Sequence, residues 1–204
     1  MKSYMIKAFL LLFFMSKISN GSVLLSSLPQ SLSVVASPTE GQVLQAGEDN
    51  ITVSFGLNGS IANQTDESYK FVKVKLCYAP ISQVDRKWRK TVDNIKKDKT
   101  CQFTIWEKPY DHQQNMSQQF EWTIEKDLPT ATYFVRAYVY DSGDEEIGYG
   151  QTTNDKKISN LFKIQGISGR HPSIDIASIC FSVFAILSLV GFFLLEKRQS
   201  KAKK

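Results

Sequence analysis

Alternation of apolar and polar residues over short runs dominates the middle of the chain. In the run at residues 70–78, Val72, Val74 and Leu76 are separated by lysines, which is the period of a strand with one buried face. Six further runs rich in aromatic and β-branched residues lie at 51–57, 101–106, 119–124, 132–141, 147–153 and 161–167. Turn-forming residues separate these runs. Seven short strands with this spacing predict a two-sheet antiparallel sandwich.

The stretch DLPTATY, residues 127–133, indicates which type of sandwich this is. It precedes the strand YFVRAYVYD and resembles the corner before the sixth strand of fibronectin type III and related immunoglobulin-like domains. There Leu128 and Tyr133 would pack over the end of the sandwich, with the Tyr133 hydroxyl bonded to upstream backbone. An ordinary buried tyrosine at a strand start is the alternative. The predicted fold is all-β, an immunoglobulin/fibronectin III-like sandwich over residues 28–167.

The segment between Cys77 and Cys101 interrupts this strand pattern with more than twenty residues, where a short turn would serve. Its apolar residues recur at helical spacings of four, four and three, at Val84, Trp88, Val92 and Ile95. Asp85, Arg89 and Asp93 follow one another at i, i+4, as in an ion-pair ladder. The pattern predicts an inserted amphipathic helix whose charged rim, with Arg89 as its best carboxylate-binding group, docks on a partner. Alternatively, the apolar stripe completes the core and the charges are only solvated.

The chain also carries a long apolar segment near its C-terminus. Residues 176–195 contain no charge and would cover about 30 Å as a helix, enough for one membrane span. The basic tail at 196–204 follows directly, so the positive-inside rule places the tail in the cytosol and the sandwich outside the cell. Residues 168–175 form the juxtamembrane linker. A buried core helix is the alternative to a span.

The beginning of the chain has the layout of a secretory signal peptide, which we assign to residues 1–22. Lys2 and Lys7 precede an apolar run at 8–15, and small or polar residues follow. A run of this length is too short to cross a bilayer. An N-terminal membrane anchor is the alternative.

Cysteines and glycosylation sequons fit an exported domain. Cys77 and Cys101 are the cysteines on the exported side, whereas Cys180 lies within the predicted span. An even number in an oxidising compartment predicts one disulfide. Asn-X-Ser/Thr sequons on the same side predict glycosylation at Asn50, Asn58, Asn63 and Asn115. We therefore expect a single-pass type I membrane glycoprotein.

The distribution of charge argues against a nucleic-acid binder despite a formal net charge of +5. The signal segment contributes +3, the tail +4 and the segment between the cysteines +4, so the rest of the chain carries −6. The two histidines have no nucleophile motif near them, and no phosphate-binding or metal-ligand spacing occurs in the sequence. We expect no enzyme activity, no cofactor, no metal and no nucleic-acid partner.

The run VKLCYAPISQVDRKWRKTVDNIKKDKTCQFTI, with TYFVRAYVYDSGDEEIGYGQTT and the single C-terminal span, resembles the plant high-affinity nitrate transporter-activating, or accessory, proteins. The resemblance extends over most of the chain. It implies a plasma-membrane subunit that associates with a high-affinity nitrate transporter of the major facilitator superfamily, so that the pair takes up nitrate. It also implies that the contacts with the transporter lie between the two cysteines, at Arg89 and Asp98, with Asp85, Arg86 and Trp88 as companions.

Three alternatives stay open at this stage. A fibronectin-like domain on a single span would also suit a cell-surface adhesion or ligand-recognition protein. Homo-oligomerisation within the complex is compatible with the same features. The basic segment could also bind nitrate directly, since clusters of cations attract anions.

Overall fold

The structure is a computed structural model that describes residues 22–59, 66–112 and 118–202. The chain divides into two units, one ending at Gly166 and the other comprising Ile167–Lys204. The predicted signal peptide, apart from its last residue, lies outside the described residues, as do the sequons at Asn63 and Asn115.

The first unit is built from strands arranged in two sheets. The described strands are β1 (Leu32–Ala36), β2 (Val43–Gln45), β3 (Asn50–Leu57), β4 (Phe71–Tyr78), β5 (Phe103–Pro109), β6 (Gln118–Thr123), β7 (Ala131–Tyr140), β8 (Glu146–Gln151) and β9 (Phe162–Gln165). One sheet has the order β1-β3-β6, and the other runs β2-β9-β7-β4-β5 with β8 also paired to β7. The all-β prediction is confirmed. The described pairings are antiparallel except that of β2 with β9, which is parallel and was not predicted.

The core lies between the two sheets and follows from the alternation seen in the sequence. On β4, Val72, Val74 and Leu76 are fully buried, while the intervening Lys73 and Lys75 are half-buried on the other face. Residues of β3 such as Val53 belong to the same apolar cluster. Burying a valine- or leucine-sized side chain stabilises the fold by about 1.5 to 3 kcal/mol. The period-two pattern therefore identifies which face of each strand forms the core.

The corner before β7 forms as the sequence predicts. The Tyr133 hydroxyl donates a hydrogen bond to the Pro129 carbonyl oxygen at 2.6 Å. Both Tyr133 and Leu128 are buried in the core cluster. Burial raises the pKa of the Tyr133 hydroxyl above its usual range, so this group stays a neutral donor. The hydrogen bond fixes the entry of β7 at the end of the sandwich.

Strand β7 is buried on both of its faces. Val135 and Ala137 point into the core, and the residues of the opposite face are also buried: Phe134, Arg136, Tyr138 and Tyr140. The Tyr138 hydroxyl lies 4.0 Å from the Cys101 sulfur. The chain around the cysteine pair thus contributes to covering the outer face of the six-stranded sheet.

The prediction of an amphipathic helix between the cysteines is wrong. The segment contains two short 3₁₀ turns, Pro80–Ser82 and Lys87–Arg89, joined by irregular chain. Asp85 between them has a left-handed φ of 57°, which a continuous α-helix excludes. The physical reason is that backbone groups in the second half of the segment form hydrogen bonds with residues 23–25 instead of with residues four positions away, as a helix requires. The Leu25 amide donates to the Asp93 carbonyl at 2.8 Å, and the Ile95 amide donates to the Val23 carbonyl at 3.1 Å.

The second unit contains the apolar helix that the sequence predicts. Helix α1 spans Pro172–Ala202, and its stretch from Pro172 to Gln199 is long and apolar enough to cross a membrane, with a mean hydropathy of 2.5 in its most apolar window. Part of the predicted linker is helical, because Pro172 is well suited to the first turn. The Arg170 guanidinium forms an ion pair with Asp175 at 2.8 Å beside the helix start.

Candidate functional site: the cysteine-bounded segment

A disulfide closes the cysteine-bounded segment, residues 77–101. Cys77 at the end of β4 is bonded to Cys101, two residues before β5 begins, which confirms the predicted pair. Cys77 is fully buried. The bond joins both ends of a long insertion to neighbouring strands of one sheet, so the insertion is covalently held against the domain.

Hydrogen bonds attach the first turn of the segment to β7. The Thr132 amide donates to the Ser82 hydroxyl at 2.7 Å, and the Ala79 amide donates to the Thr132 carbonyl at 2.9 Å. Gln83 then bridges two parts of the chain. Its side-chain nitrogen Nε2 donates to the Tyr78 carbonyl at 2.9 Å, and its side-chain oxygen accepts from the Thr91 hydroxyl at 2.9 Å. These bonds give the turn a fixed position.

Arg89 is buried, with 6% of its surface exposed. Its guanidinium carbon lies 4.1 Å from the centroid of the Tyr78 ring, which stacks on Tyr133 in the core. The Nη1 atom donates to the Ser82 carbonyl oxygen at 3.3 Å, which links the second 3₁₀ turn to the first. The structure thus places Arg89 beneath the segment and not on the exposed charged rim that the sequence predicted.

Asp98 also faces its own segment. Its Oδ1 atom accepts from the Val92 amide at 3.1 Å, the Thr100 amide at 3.2 Å and the Thr100 hydroxyl at 2.6 Å. The Thr100 hydroxyl is in turn 2.8 Å from that of Thr91. The half-buried carboxylate therefore closes the second half of the loop on itself.

The predicted ladder of Asp85, Arg89 and Asp93 does not form, because each residue has a different environment. Asp93 accepts hydrogen bonds from the Ser26 amide at 2.9 Å and the Ser26 hydroxyl at 2.7 Å. These bonds hold the pKa of the Asp93 carboxyl below its ordinary value. Arg89 is buried and Asp85 is exposed. Asp93 thus ties the chain just after the predicted signal peptide to the segment.

The remaining predicted contact residues lie on the surface. Asp85, Arg86 and Trp88 are exposed, so of the five predicted contact residues these three are accessible and Arg89 and Asp98 are not fully so. Large apolar side chains are exposed as well: Ile81 at 69%, Val84 at 61% and Trp88 at 59%. Sequence reasoning did not single out Ile81, although it lies three residues before Val84.

Sequence reasoning also missed the buried cation beside this segment. Arg136 is fully buried on the outer face of β7. Its Nε and Nη2 atoms donate to the Gln151 side-chain oxygen at 3.1 and 2.8 Å, and Nη1 donates to the Tyr138 hydroxyl at 3.1 Å. The available signal was the aromatic residue at each i±2 position, Phe134 and Tyr138, which indicates that this face is covered.

The sequons that the structure describes lie at the two ends of β3, in the three-stranded sheet. Asn50 is exposed, and its side-chain nitrogen donates to Glu121 of β6 at 2.9 Å. Asn58 is half-buried, with its side-chain nitrogen 3.3 Å from the Gln30 carbonyl oxygen. The cysteine-bounded segment, by contrast, is attached to the six-stranded sheet.

Fold and segment together define a class: an immunoglobulin-like sandwich with a disulfide-closed insertion, in a chain with a C-terminal helix able to span a membrane. Residues 25–169 match the family described as "High-affinity nitrate transporter accessory, Ig-like domain". The chain belongs to this family of high-affinity nitrate transporter accessory proteins, which confirms the resemblance inferred from its sequence.

Curated relatives support the same assignment. The chain is 51% identical over 177 residues to High-affinity nitrate transporter 3.1 of Arabidopsis thaliana, covering 85% of this chain and 82% of that protein. It is 45% identical over 177 residues to High-affinity nitrate transporter-activating protein 2.1 of Oryza sativa subsp. japonica, covering 87% of this chain and 82% of the relative.

Among solved structures, a Niemann-Pick type C2 protein from the Japanese carpenter ant is similar at a TM-score of 0.31 and 16% identity. The similarity covers 65% of this chain and 89% of that one. It is too weak to add to the assignment.

Proposed function

We propose that this protein is a non-catalytic accessory subunit of a high-affinity nitrate transporter of the major facilitator superfamily. In this role it associates with the transporter, supports its placement in the plasma membrane and so enables nitrate uptake. Membership of the accessory family over residues 25–169 is the observation that carries the proposal. The names of the rice and Arabidopsis relatives point to the same process.

The apolar helix α1 cannot by itself form a transport path, which supports the need for a partner. A nitrate pathway requires several helices around a polar cavity, because one helix in lipid cannot enclose one. The part of the chain that the structure describes contains one helix with the length and hydropathy of a span. The transport path therefore belongs to the partner, and this chain acts on it from outside the path.

In this proposal the chain is a type I membrane protein with the sandwich outside the cell. The disulfide suits an oxidising compartment. The sequons on the sandwich and the basic residues after the apolar helix support the same topology. The cysteine-bounded segment is the proposed contact region, and its predicted contact residues are Arg89, Asp98, Asp85, Arg86 and Trp88.

Surface biotinylation of the transporter, with and without the full-length chain, tests the proposal. We expect severalfold more transporter at the plasma membrane when both proteins are expressed. A chain truncated before Pro172, which lacks the apolar helix, is the control and should not reproduce the effect. Equal surface transporter in all three conditions would contradict the proposal. Efficient surface delivery of this chain with no transporter present would favour an independent adhesion protein.

A further inference from the structure

Three large apolar side chains of the cysteine-bounded segment face solvent although the segment is firmly attached. Ile81, Val84 and Trp88 are each exposed over more than half of their surface and lie within eight residues of one another. Covering the exposed part of each side chain would be favourable, because it removes apolar surface from water. Large apolar side chains left exposed within one short, anchored segment are candidates for an interaction site.

The exposure does not come from loose chain. Arg89 joins the two 3₁₀ turns through the Ser82 carbonyl oxygen, and the ends of the segment are closed by the disulfide. The Gln102 side-chain nitrogen donates to the Trp88 carbonyl at 2.6 Å and the Lys99 carbonyl at 2.7 Å. The backbone that carries Trp88 is thus tied to the chain before β5. A surface held in place before binding loses less entropy on association.

The acidic residues of the segment are largely used internally. Asp93 is bonded to Ser26, and Asp98 is bonded to the Val92 and Thr100 amides. Six basic side chains remain exposed: Arg86, Lys87, Lys90, Lys96, Lys97 and Lys99. Asp85 is exposed, and its carboxylate takes part in none of these bonds. These carboxylates keep their charge, and with seven Lys and Arg against three Asp the segment carries a net +4. Its surface is therefore positive, and a complementary partner surface is acidic.

The described sequons leave this surface free. Asn50 and Asn58 belong to the β3 side of the sandwich, and the Asn50 side chain is bonded to β6 of the same sheet. Sugars attached there would be bulky and would obstruct docking on the three-stranded sheet. Neither of the sequons that the structure describes lies on the segment attached to β4 and β7.

We propose that Ile81, Val84 and Trp88, with the surrounding Arg86 and Lys87, form the direct contact surface for the transporter. The occupant is an extracellular apolar patch of the transporter bordered by Asp or Glu side chains. This inference rests on the proposed function and refines its contact residues. Tryptophan and arginine are the residues most often found as interface hot spots, and the charged border provides steering and specificity. Arg89 and Asp98 hold the segment in shape and lie behind this surface.

Two valines with nearly equal exposure provide a matched test. Val84 is 61% exposed on the proposed surface, and Val35 is 64% exposed on β1 of the other sheet. The full-length chain carrying Val84→Glu, Val35→Glu or Trp88→Ala is co-expressed with the transporter in plant cells and co-precipitated from membranes. We expect V84E and W88A to reduce the recovered transporter about tenfold, because each removes a central apolar contact. V35E should leave recovery unchanged.

Resistance of the three variants to trypsin, together with their intact disulfide, establishes that each is folded. Undiminished recovery with folded V84E and W88A would overturn the inference while leaving the proposed function standing. Failure of the wild-type chain to recover any transporter would instead overturn the proposed function. The same variants are assayed for binding to vesicles containing about one-third phosphatidylserine. Loss of vesicle binding with retained transporter recovery would assign the surface to lipid and would also overturn the inference.

Discussion

Arg89 shows how a charged residue can serve the fold in a segment where sequence suggests a docking role. Its guanidinium lies over the face of Tyr78, and Tyr78 is stacked on Tyr133. A cation over an aromatic face contributes about 0.5 to 2 kcal/mol, more when it is desolvated. The hydrogen bond to Ser82 adds a geometric link between the two turns. If a change of Arg89 weakened association with the transporter, displacement of the whole segment could therefore cause that loss, as well as removal of a direct contact by Arg89.

Replacing Arg89 with methionine should lower the free energy of unfolding of the domain by roughly 1 to 3 kcal/mol, because the cation–π contact and the bond to Ser82 are lost. Lys90→Met changes an exposed neighbour and is the control, with an expected change within about 0.5 kcal/mol. Urea unfolding of the full-length chains measures both. An R89M protein as stable as wild type that no longer recovers the transporter would make Arg89 a direct contact.

Tyr133 offers a second test at the scale of one atom. Tyr133→Phe removes the hydroxyl that donates to Pro129 and leaves the ring in the core. We expect a loss of about 1 to 2 kcal/mol of unfolding free energy, because the Pro129 carbonyl loses its partner. Thermal unfolding of Y133F beside wild type measures it. An unchanged midpoint would show that the corner does not depend on this bond.

Among the elements, the cysteine-bounded segment depends most on its covalent closure. The bond between Cys77 and Cys101 closes a loop with a sequence separation of 24. On the chain-entropy account, a loop of this size gains about 3 kcal/mol from closure. Most backbone hydrogen bonds inside the loop join residues three positions apart and so form single turns. The arrangement of these turns relative to one another relies on the disulfide and on side-chain bonds.

Changing both Cys77 and Cys101 to serine should therefore reduce the free energy of unfolding by roughly 2 to 4 kcal/mol. The urea midpoint measures this change. Cys180→Ser in the apolar helix is the matched control, because that cysteine is unpaired and outside the sandwich. If the double variant unfolds at the wild-type urea concentration, the disulfide does not hold the segment.

The attachment of the N-terminal chain to the segment should depend on pH. The hydrogen bonds from Ser26 lower the pKa of Asp93, so this contact is present above the ordinary aspartate pKa and is lost as pH falls through the lowered value. Hydrogen exchange of the Leu25 and Ser26 amides, corrected for intrinsic rates, should show less protection at about pH 2 than at about pH 6. Asp93→Asn should reduce protection at the higher pH. Equal protection of wild type at both values would contradict the account.

The strands were predictable where apolar and polar residues alternate, as on β4, because burial of one face imposes that period. Strands β1 and β2 were not predicted. β2 has three residues and only its central Leu44 is buried, so it is too short to show the apolar–polar alternation that identifies a strand. The helical spacing in the cysteine-bounded segment was misleading, since Val84 and Trp88 are mostly exposed and do not join the core. Hydrogen bonds to residues distant in sequence, such as Ser26, determine the conformation of that segment, and a local sequence pattern does not reveal them.

For the candidate site, the sequence predicted the disulfide, which the structure confirms, but not the orientation of the residues between the two cysteines. The contact region itself stays a prediction. Trp88 and Arg86 are exposed as a contact surface requires, whereas Arg89 and Asp98 face the domain. Whether a charged side chain is exposed depends on tertiary neighbours such as Tyr78. Ile81 was overlooked for the same reason.

At the scale of the whole molecule, the sandwich has two different sides. The described sequons lie on the three-stranded sheet, and the six-stranded sheet carries a rigid, positively charged segment with exposed apolar residues. A helix able to span a membrane follows the domain in the chain. The proposed contact surface and the described sequons are thus attached to different sheets of the sandwich.

The central claim is that this chain enables a separate nitrate transporter to work, and uptake of labelled nitrate tests it most directly. Cells expressing the transporter alone, this chain alone or both are compared at low external nitrate. The account predicts uptake well above background only when both proteins are present. Equal uptake by the transporter with and without this chain, or uptake by this chain alone, would contradict it.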